Sequence, residues 1–218
     1  MNKETLIYLT LDDFKNNEAI ILNSISKERR EKSSKYHQKE DRIRSLLASY
    51  LLKYTGKSQL KYTNLNKPYK DDCFFSITHS ENYVFIYISS SDCGIDIEKK
   101  KEVNPKVINY SLSDLEKEIF NLNNEDFLYI WTRKESFSKC IGEGMYNNIC
   151  IKDIPSNNGE NIYKGNKYYS FSLDFDDYIV SITKKDKLNN IYIYKGRIDD
   201  SIDVEEIELI KKVEISQN

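Results

Sequence analysis

None of the four cysteines, Cys73, Cys93, Cys140 and Cys150, belongs to a CxxC pair or lies close in sequence to a histidine. That spacing argues against a zinc site and leaves buried, reduced thiols as the default reading. No apolar run approaches the length of a membrane span. The opening, MNKETLIYLTLDDFKNNE, lacks a signal-peptide apolar region and an Arg/Ser-rich transit composition, so a cytoplasmic protein is expected. Neither sign of charge dominates: 33 Lys+Arg stand against 35 Asp+Glu, for a net charge of −2, which argues against a nucleic-acid binder. There is no G-x-S-x-G nucleophile elbow. Glycine and proline are scarce, at 7 and 3, while Lys, Asn and Ile are abundant. That bias reads as a property of the source genome and carries no functional signal.

What is present points to a folded enzyme-sized domain. Hydrophobic residues make up 39% of 218 residues, with 17 tyrosines, enough for one large or two small domains with a buried core. Leu6 to Leu9 reads as an opening strand, and Leu11 to about Tyr36 as mainly helical. The clearest helix runs from about Lys39 to Tyr54, where Ile43, Leu46, Leu47, Tyr50, Leu51 and Tyr54 follow the helical apolar period, with Gly56 as its stop. Phe74 to Ile77 and Tyr83 to Ile88 read as strands joined by a turn from Thr78 to Asn82, and Cys93 to Glu98 as a third strand internal to the sheet. Ser113 with Glu116 forms a capping box for a helix to about Leu122, and a further helix runs from near Glu125 to Gly142. An internal echo follows: Phe75-Ser76-Ile77 before Tyr83 to Ile86 resembles Phe171-Ser172-Leu173 before Tyr178 to Ile182. Each copy is followed by another strand, from Cys93 and from Ile191. The echo predicts two similar α/β halves, residues 1–105 and 106–218, packed as one compact unit.

Two segments carry the chemistry. In Gly94-Ile95-Asp96-Ile97-Glu98, the strand period puts Asp96 and Glu98 on one face, their Cβ atoms roughly 6–7 Å apart, and the isoleucines on the other. A lone D-x-E is ordinarily a solvated edge, but Gly94 permits close backbone approach beside these acids. Adjacent carboxylates on a partly covered face repel one another, and a cation relieves that cost. In Trp131 to Lys139, Glu135 and Lys139 share a helix face, a spacing also common in surface ion pairs. His79, between Thr78 and Ser80, stands where an imidazole can hold a phosphate, although an exposed histidine there is as ordinary; His37 reads as surface. Arg29, Lys32, Arg42, Arg44 and Lys67 scatter positive charge ahead of the first hairpin, and Arg44 stands at the edge of its helix's apolar stripe.

The order Lys67-Pro68, FSITHS, GIDIE, WTRKESFSK and Gly142-Glu143-Gly144 resembles the 4′-phosphopantetheinyl transferases of the surfactin-synthetase-activating (Sfp) type, over roughly residues 25 to 145. The resemblance implies an α+β fold of two similar halves in pseudo-twofold arrangement, with coenzyme A in the cleft between them. It implies Mg²⁺-dependent (or Mn²⁺-dependent) transfer of the phosphopantetheine arm of coenzyme A to a serine of an apo acyl or peptidyl carrier protein. It also implies release of adenosine 3′,5′-bisphosphate. Carried over by motif, Asp96, Glu98 and Glu135 would hold the metal, Lys139 would contact the phosphates, and Glu135 would take the serine proton. His79 with Thr78, Arg44, Lys32 and Arg29 would bind phosphates, with Lys67 near the adenosine end. Thr78 stands where serine is usual and Arg29 where lysine is often seen; both keep the chemistry. A single chain supplies both halves of the site, so a monomer is expected. The rivals are a hydrolase built on Ser80, His79 and Asp96, whose adjacent Ser80 and His79 point apart, and a non-catalytic coenzyme A or carrier-protein binding module.

Overall fold

The structure, a computed structural model, describes residues 4–56, 58–119, 124–144, 150–199 and 207–215. In chain order its elements begin with β1 (Thr5–Thr10), α1 (Leu11–Ser24), α2 (Lys27–Ser34), α3 (Lys39–Leu51) and a 3-10 turn over Leu52–Thr55. Then come β2 (Lys61–Tyr62), β3 (Pro68–Tyr69), β4 (Phe74–Ser80), β5 (Tyr83–Ser89) and β6 (Cys93–Lys99). After them follow α4 (Pro105–Ser111), α5 (Asp114–Ile119), α6 (Asn124–Ile141) and a 3-10 turn at Ile151–Asp153. The chain continues with β7 (Gly159–Tyr163), β8 (Asn166–Phe175), β9 (Tyr178–Lys184), β10 (Asn190–Lys195) and β11 (Glu208–Glu214). The fold is a mixed α+β one. The end expected for the Ser113 helix, near Leu122, lies outside the described residues.

By contact the chain forms two units, and the division is not a single cut at residues 105 and 106. Among the described residues, the first lies within 4–61, 69–90 and 189–215, and the second within 62–68 and 91–188. In the first unit the sheet order is β11-β10-β1-β5-β4, with β1 parallel to β10 and antiparallel to β5. Thr10 caps α1 reciprocally with Asp13, which gives the Thr10 and Asp13 amides their partners where strand passes into helix. The apolar stripe of α3 buries Ile43, Leu46, Leu47, Tyr50 and Leu51 against Ile7 and Leu9 of β1 and Val84, Ile86 and Ile88 of β5. Tyr50 and Tyr54 donate their hydroxyls to the carbonyls of Asp199 and Arg197, at 3.0 and 2.7 Å, and so fasten the segment after β10.

In the second unit the sheet order is β6-β9-β8-β7, so among the described residues β6 is an edge strand and not an internal one. It is nonetheless buried from Cys93 to Ile97, because α6 packs across β6 and β9. Small and hydroxylic residues let the helix come close. Thr132 meets Ser181 at 2.7 Å and Ser136 meets Thr183 at 2.8 Å, hydroxyl to hydroxyl. Gly94 is obligatory: a Cβ there would lie 1.9 Å from the Ser136 carbonyl oxygen and 2.5 Å from the Cys140 nitrogen.

The two hairpins that echo each other in sequence share a turn as well. Both β4–β5 and β8–β9 close through two residues, Glu81-Asn82 and Asp176-Asp177, whose first members have φ of 43° and 50°. Thr78, His79 and Ser80 therefore belong to strand β4, where a five-residue turn was expected. The strand that follows each hairpin pairs elsewhere: β6 joins the sheet of β9, and β10 the sheet of β1.

Candidate functional site

The face of β6 that carries Gly94 carries Asp96 and Glu98 too, since side chains alternate along a strand. Gly94 packs against α6, so the two acids look toward the helix that bears Glu135 and Lys139. Asp96 is 6% exposed; Glu98 and Glu135 are partly buried. Lys139 does not close the helical pair with Glu135 that its spacing invites. Its ammonium donates across to Asp96 Oδ1 at 2.7 Å and to the Ile95 carbonyl at 3.1 Å.

Burial, and then the negative charges of Asp96 and Glu98, push the Glu135 carboxyl up to about 7 against the opposing pull of Lys139. A carboxyl in that range exchanges protons near neutrality, which suits a general base. The three acids are near enough to perturb one another, yet among the described residues no group of three or more His, Cys, Asp or Glu is gathered as a ready metal cluster. The donor set is all oxygen, which suits a hard divalent cation, and three neighbouring carboxylates carry negative charge that such a cation would relieve.

The motif helix has a second, inward-facing cation that sequence reasoning did not single out. Lys134 is fully buried and donates to Glu116 Oε2 at 2.7 Å, the Ile151 carbonyl at 3.0 Å and the Ser111 carbonyl at 3.1 Å. Glu116 is the capping-box residue: it also accepts from the Ser113 amide and hydroxyl, and from Ser156. Burial alone would raise Glu116, but these donors, Lys134 foremost, outweigh it and hold the carboxyl below its usual value. Adjacent residues of one helix thus divide the work: Lys134 anchors α6, while Glu135 faces the acids.

Lys67 lies in the same unit. Its ammonium donates to the Cys140 carbonyl at 2.5 Å and pairs with Asp92 Oδ1 at 3.0 Å. It lines a cavity of about 470 Å³ whose wall includes Tyr163, Tyr168 and Lys185.

The remaining predicted residues belong to the first unit. Arg44, on α3, donates to the Glu81 carbonyl at 2.6 Å and pairs with Asp41 Oδ1 at 2.6 Å, which holds it on the β4–β5 turn. His79 is exposed on β4 and Thr78 is buried beside it. Lys32 is exposed and Arg29 partly buried on α2, which is joined to α3 through the Ser33 and Ser45 hydroxyls at 2.9 Å.

A model of the 4′-phosphopantetheinyl transferase superfamily matches residues 92–183. The 4′-phosphopantetheinyl transferase gsp of Aneurinibacillus migulanus is 33% identical over 160 residues, 66% of this chain and 68% of that protein. The 4′-phosphopantetheinyl transferase Sfp of Bacillus subtilis (strain 168) is 30% identical over 138 residues, 56% of this chain and 62% of that protein. Among solved structures, that of Thermotoga maritima holo-[acyl-carrier-protein] synthase is similar at a TM-score of 0.35 and 19% identity, over 58% of this chain and 83% of that one.

Proposed function

We propose that this chain, which belongs to the 4′-phosphopantetheinyl transferase superfamily, transfers the phosphopantetheine arm of coenzyme A to a serine of an apo acyl or peptidyl carrier protein. The observation that carries the mechanism is the Asp96, Glu98, Glu135 and Lys139 constellation, in which the two strand acids face the helix that bears Glu135 and Lys139 donates to Asp96 Oδ1 at 2.7 Å.

In the proposed reaction the carrier serine oxygen attacks the phosphorus that bears the pantetheine. The bond from that phosphorus to the bridging oxygen breaks, and adenosine 3′,5′-bisphosphate leaves with the electron pair. Glu135 accepts the serine proton, directly or through a water. Lys139, already held among oxygen acceptors, offsets charge that builds on the phosphoryl oxygens and the leaving group. Reactions of this class depend on positioning and charge neutralisation more than on covalent chemistry. When bound, Mg²⁺ would be held by Asp96, Glu98 and Glu135 and would neutralise pyrophosphate charge. In the first unit, Arg44 and His79, with Thr78, Lys32 and Arg29, are the proposed phosphate-holding groups.

The proposed setting is the cytoplasm and the proposed state a monomer. None of the four cysteines is in a disulfide, in keeping with a reducing compartment. Among the described residues no helix is long and apolar enough to cross a membrane.

The deciding experiment is intact-mass spectrometry of an apo carrier protein incubated with this protein, coenzyme A and Mg²⁺, beside an EDTA control. A mass gain of one phosphopantetheine arm, lost with EDTA, is expected. Coenzyme A binding without transfer to any of several carriers would replace the reading with that of a binding module.

A further inference from the structure

The carboxylates lie partway along the contact between β6 and α6, and each end of that contact carries a polar tie. Where α6 begins, Lys100 pairs with Glu125 Oε1 at 2.8 Å and with Asp174 Oδ1 at 2.8 Å. Where α6 ends, Lys67 bridges the Cys140 carbonyl and Asp92, the residue just before β6. The Cys140 thiol adds a 3.5 Å contact to the Asp92 carbonyl.

The chemistry of the second tie is well matched. The last carbonyls of a helix lack intrahelical partners and carry the negative end of its dipole, so an ammonium there meets both needs. The Lys67 stem lies on Gly142, where a Cβ would stand 3.3 Å from Lys67 Cβ and Cδ and where φ is +76°. That contact gives the first glycine of the Gly142-Glu143-Gly144 motif a reason to be glycine. Only 11% of the Lys67 side chain is exposed, and two of its three donors are engaged.

We infer that Lys67 is a positioning residue: it fixes the C-terminal end of α6 to the start of β6, and so sets where Glu135 and Lys139 stand against Asp96 and Glu98. The inference rests on the reading of those four residues as the transfer site. Cys140 is five residues from Glu135, about 7.5 Å along a helix, and Asp92 is four from Asp96, about 13 Å along a strand. A displacement of about 1 Å at reacting groups costs on the order of 10²-fold in rate. Release of one end of α6 therefore has leverage on the chemistry through the helix itself.

The test compares full-length wild type with Lys67→Met, Lys67→Arg, Asp92→Asn and the Lys67→Met/Asp92→Asn double variant. The readouts are kcat and KM for coenzyme A, Mn²⁺ affinity by electron paramagnetic resonance with coenzyme A present, and thermal unfolding. For Lys67→Met we expect kcat to fall and Mn²⁺ binding to weaken by about 10-fold or more, with KM for coenzyme A within about 3-fold of wild type. Asp92→Asn should show part of the same loss, Lys67→Arg should recover much of it, and the double variant should be no worse than Lys67→Met, since the pair acts as one unit. A rise in KM for coenzyme A with kcat and Mn²⁺ binding intact would overturn the inference in favour of a direct ligand contact. A lowered melting temperature with wild-type kcat and Mn²⁺ affinity would reduce Lys67 to a structural role and overturn it as well. If wild type modifies no carrier, the transfer reading fails on its own, and the Mn²⁺ comparison still decides the positioning role.

Discussion

Replacing Lys134 by Met separates anchoring from chemistry within the motif helix. The ammonium is fully buried and donates to Glu116, the Ser111 carbonyl and the Ile151 carbonyl. Methionine fills a similar volume but supplies none of these bonds. Breaking a buried ion pair from one side costs about 3–5 kcal/mol, because the partner charge is left uncompensated. Here Glu116 keeps the Ser113 and Ser156 donors, which favours the lower figure. Two carbonyls left without their donor push it back up. For a domain of this size, about 3 kcal/mol corresponds to a fall in melting temperature on the order of 10 °C. Circular dichroism melts supply the shift, and carrier-modification assays below the melting point supply kcat for the folded fraction. Folded Lys134→Met should keep a kcat within a few fold of wild type. Adding Glu116→Gln should recover part of the lost stability, since the stranded charge is then removed. A variant that melts like wild type yet has lost turnover would show that Lys134 acts on the reaction, and the division of labour between Lys134 and Glu135 would be wrong.

Three further outcomes are expected. Gly94→Ala should lose several kcal/mol or fail to fold, because its methyl group would meet main-chain atoms of α6 and cannot be accommodated by a side-chain rotation; a melting temperature equal to wild type would contradict the close packing. Glu135→Gln should abolish transfer in the presence of metal and, without metal, should stabilise the protein at pH 8 by up to about 3 kcal/mol. The sign follows from a folded carboxyl near 7 against 4.5 unfolded: the folded state holds its proton longer, so wild-type stability drops as pH rises between the two values. Urea unfolding in EDTA at pH 5 and pH 8 measures this, and no difference between variant and wild type at pH 8 would refute it. Glu116 runs in the opposite direction. Its folded carboxyl sits below the ordinary 4.5, so its contribution is complete above that pH and disappears as pH falls through the folded value. Wild type should therefore lose more stability than Glu116→Gln between neutral pH and about pH 3.5.

The legible parts of this protein were those governed by local period. Asp96 and Glu98 share a face because a strand alternates, and Gly94 was suspect because a bare backbone invites a neighbour; both features meet α6. The Ser113–Glu116 cap is present too. What escaped depends on distant partners. A lysine in a charged helix reads as solvated, and only the convergence of residues 111, 116 and 151 makes Lys134 a buried one. Lys139 chose Asp96 over Glu135 because the neighbouring strand offered both a carboxylate and a carbonyl. The edge position of β6 was hidden by its apolar residues, which a covering helix can bury as well as another strand can. The β4–β5 turn carries no glycine to mark it, since Glu81 itself takes the positive φ, so the strand end from Thr78 to Ser80 reads in sequence as part of the turn.

The exchange of strands between the two hairpin repeats has a consequence for how the chain is made. The parallel partner of β1 is β10, which leaves the ribosome more than 180 residues later. Until then the opening strand has only β5 beside it, and its other hydrogen-bonding edge is bare. Pairing of such separated segments is slow, and a bare edge is a template for unwanted association. A polypeptide released early, with β6 to β9 complete but β10 absent, would hold every candidate metal ligand and still carry an unfinished sheet. Synthesis thus has a late checkpoint: β1 waits for β10.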